Sequence, residues 1–169
     1  MSDSTPLLNA VLAGDVSLVD TMLADGANVA VRDRSNDTPL HSAAAHGHVE
    51  IVDLLLRAGA EIDALNWDDE TPLLAVLADG KRHHAVIQRL IAAGADVNAA
   101  DSARVTPLMW AVTTKDPIAV GLLLEAGADL SCRDSEGDDI WDYARDEVVY
   151  SEEVYLTLLA GKDLQRASR

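Results

Sequence analysis

Polar and apolar residues follow each other along the chain in short blocks that return in the same order. In one block an apolar run at 40–45 is interrupted by Gly47, and a second set of apolar residues then has the i, i+3, i+4 spacing of one helical face: Val52, Leu55, Leu56. Gly59 follows this face, and the mostly polar stretch 61–69 leads to the next block. The pattern predicts two short helices joined by a tight turn, followed by an extended loop or hairpin.

Two short motifs repeat with the same period as these blocks. Thr-Pro-Leu begins at four positions whose spacings are 33, 33 and 35 residues: Thr5, Thr38, Thr71, Thr106. Gly-Ala followed by Asn, Glu or Asp begins at four further positions: Gly26, Gly59, Gly94, Gly127. The chain is therefore an internal repeat with a 33-residue period, and its third unit carries two additional residues.

Each motif has a physical role at a helix end. The threonine side chain supplies an oxygen for the unpaired N–H groups of the first turn, and proline suits the first helical position because it has no N–H to satisfy. Glycine after the second helix permits a left-handed C-cap. The motifs therefore predict where each helix pair begins and ends.

The segment 38–60 resembles an ankyrin repeat at nearly every defining position, and the resemblance extends over most of the chain. It implies an all-α solenoid of about five units with degenerate end caps, each unit a helix-turn-helix followed by a β-hairpin-like loop. The expected units span residues 1–32, 33–65, 66–100, 101–133 and 134–161, with a short C-terminal tail at 162–169. In such a stack the core lies between neighbouring units.

Composition limits the classes of partner. The apolar residues are mainly Ala, Leu and Val, with no Phe, which suits close packing of helices. A net charge of -16 argues against binding to nucleic acid or to an anionic membrane. Cys132 is the only cysteine, which excludes an intrachain disulfide and a Cys-rich metal site. No signal peptide or membrane span is evident, so we expect a cytoplasmic protein.

The histidines do not indicate a metal or catalytic site. The resemblance implies that His41 and His48 connect adjacent loops by hydrogen bonds. The neighbours His83 and His84 would point about 100° apart on a helix, which makes a shared metal ion difficult. Nucleophile-elbow and phosphate-loop motifs are both lacking. We therefore expect no enzymatic activity, no metal and no cofactor.

The resemblance implies that a protein partner is bound by the loop tips and by the exposed side of the first helix of each unit. The candidate residues carried over by position, with the inserted turn added, are Arg34, Ser35, Asp37, His46, Trp67, Asp68, Glu70, Asp79, Lys81, Arg82, Ser102, Val105, Thr113, Thr114. Trp67 is the favoured anchor because tryptophan is enriched at interface hot spots, and the alternative is packing against the neighbouring tip. Trp110 and Trp141, on first helices, are expected to be buried.

Several acidic residues have an expected structural role. The resemblance places Asp33, Asp101 and Asp134 where the family uses aspartate to hold the hairpin. Further acids form a ridge that either selects the partner or only keeps the protein soluble: Asp68, Asp69, Glu70, Glu136, Asp138, Asp139. The inserted turn with Lys81 and Arg82 is either a second contact point or a tolerated insertion.

The leading hypothesis is a monomeric, non-enzymatic module that binds a protein partner carrying a basic patch. One alternative is a structural or assembly subunit that acts by oligomerisation. Another is an inhibitor or immunity-type protein that blocks a basic active site. Both alternatives stay open at the level of sequence.

Overall fold

The helices follow one another in pairs, as the repeat predicts. The structure is a computed structural model that describes residues 6–145 and 151–167, with side chains described for 6–145 and 151–163. In these ranges the helices are α1 (Pro6–Leu12), α2 (Val16–Ala24), α3 (Pro39–Ala45), α4 (Val49–Arg57), α5 (Pro72–Ala78), α6 (His84–Ala92), α7 (Pro107–Thr113), α8 (Pro117–Glu125), α9 (Ile140–Arg145) and α10 (Glu152–Ala167). The predicted all-α solenoid is thereby confirmed.

The Thr-Pro motif begins the first helix of the central units. The Thr38 hydroxyl accepts a hydrogen bond from the backbone N–H of His41, and Thr71 and Thr106 cap α5 and α7 in the same way. Proline occupies the first position of each of these helices. Thr5, the first member of the series, lies outside the described residues.

The two extra residues of the third unit lie in the turn between its helices. Residues 79–83 connect α5 to α6, whereas residues 46–48 and 114–116 suffice in the neighbouring units. This lengthened turn was the predicted position of the insertion. Both helices of the unit still pack against the corresponding helices of the neighbouring units.

The odd-numbered and even-numbered helices form two rows. Each helix of the inner row, α1, α3, α5, α7 and α9, packs against the next helix in that row, and α2, α4, α6 and α8 form the outer row. Between the rows lie the fully buried side chains of the core, among them Leu40, Ile51, Leu55, Leu73, Leu90. No unit has a complete core of its own, so neighbouring units stabilise each other.

The last helix closes the stack and continues past the predicted boundary at residue 161. It packs on α8, burying Val154 and Leu158 and placing Gly161 directly against Leu124. The Lys162 ammonium lies 4.7 Å from the centre of the Trp141 ring. These contacts carry the helix on to Ala167, through most of the segment that the sequence suggested as a tail.

Extended structure is minimal in the described ranges. Its only bridge joins Arg133 to Asp139. Among the helices described, none combines the length and the apolar character needed to cross a bilayer.

Candidate protein-binding surface

The loop tips of neighbouring units are joined by backbone hydrogen bonds. The N–H of Trp67 donates to the Ser35 carbonyl over 3.1 Å, that of Ser102 to the Asp68 carbonyl over 3.0 Å, and that of Ser135 to the Ala103 carbonyl over 2.9 Å. We call this side of the molecule the tip edge; it comprises residues 33–38, 66–71, 101–106 and 134–139. These three bonds join the four tips into one continuous surface.

Each tip is folded by one side chain that accepts hydrogen bonds from the loop backbone. Asp33 and Asp101 each accept two such bonds, and Asp134 accepts three. The role predicted for these three aspartates is confirmed. In the second tip the amide oxygen of Asn66 does the same for Asp68 and Glu70. Sequence reasoning missed Asn66, although it lies 33 residues after Asp33 and has the same acceptor geometry.

His41 connects the start of α3 to the next tip. Its Nδ1 accepts from the Thr38 N–H over 3.2 Å, and its Nε2–H donates to the Glu70 carbonyl over 3.0 Å. Burial lowers the pKa of His41 below its usual value, because a charged imidazolium is poorly solvated there. The predicted loop-connecting role of His41 is confirmed.

Trp67 is both held in place and exposed. Its indole N–H donates to the Arg34 carbonyl of the preceding tip over 3.1 Å, yet 72% of the residue remains accessible. The contact with the neighbouring tip is therefore present, and the role of Trp67 as an anchor for a partner stays a prediction. The hydrogen bond fixes the edge of the ring on the neighbouring tip, and most of the ring surface stays open.

The acids around Trp67 differ in their burial and in the hydrogen bonds that they make within the protein. Asp37 and Glu70 are partly buried and both accept hydrogen bonds from the Asn66 amide. Burial raises the pKa of the Glu70 carboxyl, and the nearby charges of Asp68 and Asp101 act in the same direction. Asp68 itself is exposed. Of these carboxylates, Asp68 is the one most accessible to a partner.

Four other candidates, on the tip edge and at the end of α7, already make local contacts. The Thr113 and Thr114 hydroxyls donate to carbonyls one turn earlier, at Met109 and Trp110. Val105 is partly buried against the core. Ser102 is exposed, but its backbone N–H is part of the tip ladder.

The remaining candidates lie at the opposite end of the inner helices. We call this side the turn edge; it comprises residues 13–15, 46–48, 79–84 and 114–116. Here Lys81 pairs with Asp79 over 2.6 Å, and Arg82 donates to the Lys115 carbonyl over 3.1 Å. His46 donates from Nδ1 to the Ser42 carbonyl and stacks on His48 with 5.9 Å between ring centres. The candidate residues therefore divide between two edges.

The turn-edge histidines fasten neighbouring units together. The His48 ring covers Gly14, where an added Cβ would lie 2.8 Å from its Cε1 atom, and the His83 ring covers Gly47 in the same manner. His84 turns the other way, and its Nε2 lies 2.7 Å from an Asp116 carboxylate oxygen. The adjacent His83 and His84 thus contact units two and four respectively. Among the described residues, no group of three or more His, Cys, Asp or Glu is placed to hold a metal ion.

The two tryptophans expected in the core are only half buried. The Trp110 indole N–H donates to Asp101 over 3.1 Å, which requires its polar edge to reach the tip loop. Trp141 meets Tyr155 edge to face and supports Lys162. Trp110 and Trp141, on first helices near the tip edge, therefore keep part of their side chains open to solvent.

Comparison with known proteins agrees with this architecture. A family described as "Ankyrin repeats (3 copies)" has a sequence model that matches residues 2–66 and 58–134, which together make up more than half of the chain. No curated protein sequence matches significantly. Ankyrin repeats are in general protein–protein interaction modules. The matched repeats and the paired-helix stack show that the chain belongs to the ankyrin-repeat family.

Proposed function

We propose that the protein binds a partner protein carrying a basic patch, and that it does so through the tip edge and the exposed side of the inner helices. Trp67 is the anchor of this interface and Asp68 is its main accessible charge. The observation that carries the proposal is the exposure of an indole whose N–H is already bonded to Arg34.

The fixed position of Trp67 favours binding. A partner gains contact with the open ring surface without having to satisfy a buried N–H, because the Arg34 carbonyl already accepts it. The bond also limits the motion of the side chain before the partner arrives, which reduces the entropy lost on association. Tryptophan in such a position is typical of interface hot spots.

Charge favours a basic partner. The chain has a net charge of -16, and acids outnumber bases at the tip edge around Trp67. Opposite charge on the partner accelerates encounter and excludes acidic competitors. We assign the acidic ridge to partner selection, with solubility as its secondary effect.

The test begins with partners captured from a lysate at low salt and then measures purified complexes. Trp67→Ala should increase the dissociation rate and weaken binding by about 2 kcal/mol or more. Asp68→Asn combined with Glu70→Gln should reduce the association rate, and that reduction should shrink as salt is raised toward about 0.5 M.

A matched control separates recognition from overall charge. Asp20→Asn combined with Glu50→Gln removes the same charge from exposed positions on the outer row, and should leave both rates nearly unchanged. Equal losses in the two charge variants would contradict tip recognition. A partner captured equally well by Trp67→Ala would contradict the anchor.

A further inference from the structure

The turn edge changes its chemistry along the stack. The residue just before the N-cap of the second helix is glycine in units one and two. These residues are Gly14 and Gly47, with φ of 69° and 75°. At the same position units three and four have Arg82 and Lys115, with φ of 57° and 53°. This left-handed conformation is higher in energy for a residue that has a side chain, but not for glycine. Two cationic residues are therefore held where the first two units use glycine.

These two cations are adjacent and available. The Arg82 guanidinium donates to the Lys115 carbonyl over 3.1 Å, which brings the two turns together, and both residues are exposed. In the part of the chain that the structure describes, neither makes an ion pair.

The acids beside Arg82 and Lys115 already have other bonding partners. Asp79 pairs with Lys81, and the buried Asp116 carboxylate is bonded to His84 and to the backbone N–H of Ala119. The positive charge of Arg82 and Lys115 is therefore not neutralised by the acids beside them, and it lies at the opposite end of the inner helices from the acidic tip edge.

We propose that Arg82 and Lys115 form a second docking surface, which takes an acidic segment of a protein rich in Asp or Glu. This goes beyond the proposed function, because the site has the opposite sign and lies on the other edge. A molecule with both surfaces can hold a basic partner and an acidic segment at the same time.

Charge and geometry favour an acidic protein segment over a nucleic acid. The two cations come from successive units, so they suit carboxylates spaced along an extended chain. Nucleic acids are bound through many phosphate contacts and, for single strands, through aromatic side chains that stack on the bases. The turn edge offers two unpaired cations and has no Trp, Tyr or Phe, so it suits a short acidic segment better.

The test uses a fluorescently labelled peptide of eight glutamates and measures its anisotropy with the full chain at low salt. We expect saturable binding that weakens as salt rises. Arg82→Gly combined with Lys115→Gly should reduce affinity about tenfold or more, whereas the melting temperature should stay equal or rise because glycine relieves the left-handed strain. Arg82→Asn with Lys115→Asn, which also tolerates this conformation, should reproduce the loss.

The control is Arg57→Ala combined with Arg145→Ala, which removes the same charge from exposed helix ends and should retain binding. No binding by the wild-type chain, or an equal loss in this control, would overturn the proposal. Preference for a phosphorylated peptide or a single-stranded RNA of equal length over the glutamate peptide would overturn the acidic-segment assignment. Trp67→Ala should leave peptide binding intact, so failure here is distinguishable from failure at the tip edge.

Discussion

The two edges of the stack are built by different means. At the tip edge, Asp33, Asn66, Asp101 and Asp134 fold each loop with the same side-chain-to-backbone bonds, and a backbone ladder joins the loops. At the turn edge, the connection between units is made by large rings over small residues, as with His83 over Gly47. Repetition of the backbone at the tips leaves the outer side chains free to vary, whereas a change at a glycine covered by a histidine ring alters the packing between units.

The largest effect should come from filling a covered turn. Gly47→Ala places a Cβ in left-handed backbone and against the His83 ring, so we expect a loss of about 2 to 5 kcal/mol from strain and overpacking together. Gly59→Ala has the same backbone problem but meets nothing within 4 Å, and should lose only about 1 to 2 kcal/mol. Urea unfolding of both variants measures the difference. Equal losses would mean that the His83 ring moves aside at little cost.

A smaller effect should separate structural from accessible acids at the tips. The Asp101 carboxylate accepts bonds from the Ala103 and Val105 backbone and from the Trp110 indole, so Asp101→Ala should lose about 1 to 3 kcal/mol of stability. Asp68→Ala removes an exposed carboxylate and should change stability by about 0.5 kcal/mol or less. Thermal unfolding checks both, and a similar loss in the two variants would contradict this division of the acids.

The dependence of stability on pH should trace to histidines at both edges. Burial lowers the pKa of His41 and of His48 in the folded state, so the unfolded chain takes up protons first as pH falls through about 6.5. Stability should therefore decrease between about pH 8 and about pH 6, with the denaturant midpoint as the measurement.

Substitution of His41 tests this origin. His41→Asn should lower the midpoint at every pH but make the decrease shallower, because it removes one of the two histidines whose pKa is lowered in the folded state. Glu70, whose pKa is raised, acts in the opposite sense at lower pH, and so the test stays above about pH 6. An unchanged slope in His41→Asn would assign the whole decrease to His48.

Trp67 should also have only a small effect on stability. Its ring is largely exposed and makes one hydrogen bond, to the Arg34 carbonyl, so Trp67→Ala should change the free energy of unfolding by about 1 kcal/mol or less. Calorimetry of the unbound protein measures this. A loss of several kcal/mol would identify Trp67 as a packing residue and move the anchor of the interface elsewhere.

Much of the fold followed from local features of the sequence. Thr38, Thr71 and Thr106 cap helices wherever they precede proline, and the left-handed Gly59 ends a helix, because both effects depend only on the neighbouring backbone. The insertion in the third unit was equally visible, since a change of period needs no tertiary information. The acceptor role of Asn66 was recoverable in the same way, because Asn66 lies at the repeat position of Asp33 and its amide oxygen can accept the same bonds.

Less of the candidate surface could be predicted from the sequence. Position within the repeat selected Trp67 and Asp68 for contact, but it could not say that the Trp67 indole is bonded to the preceding tip or that Thr113 and Thr114 bond to their own helix. It also grouped His46 with the tips in one binding surface, although His46 lies at the other end of the inner helices. Side-chain direction and the distance between units are properties of the stack.

The sequence by itself determined the period, the helix ends and the acidic character of this protein. The period and the helix ends follow from short motifs along the chain, and the acidic character follows from the sum of all charges. The tertiary structure decided which side chains hold neighbouring units together. His83 and His84 are adjacent in sequence, yet one covers Gly47 and the other meets Asp116. Only the packing of one unit on the next could separate them, since residues about 33 positions apart become neighbours when the units stack.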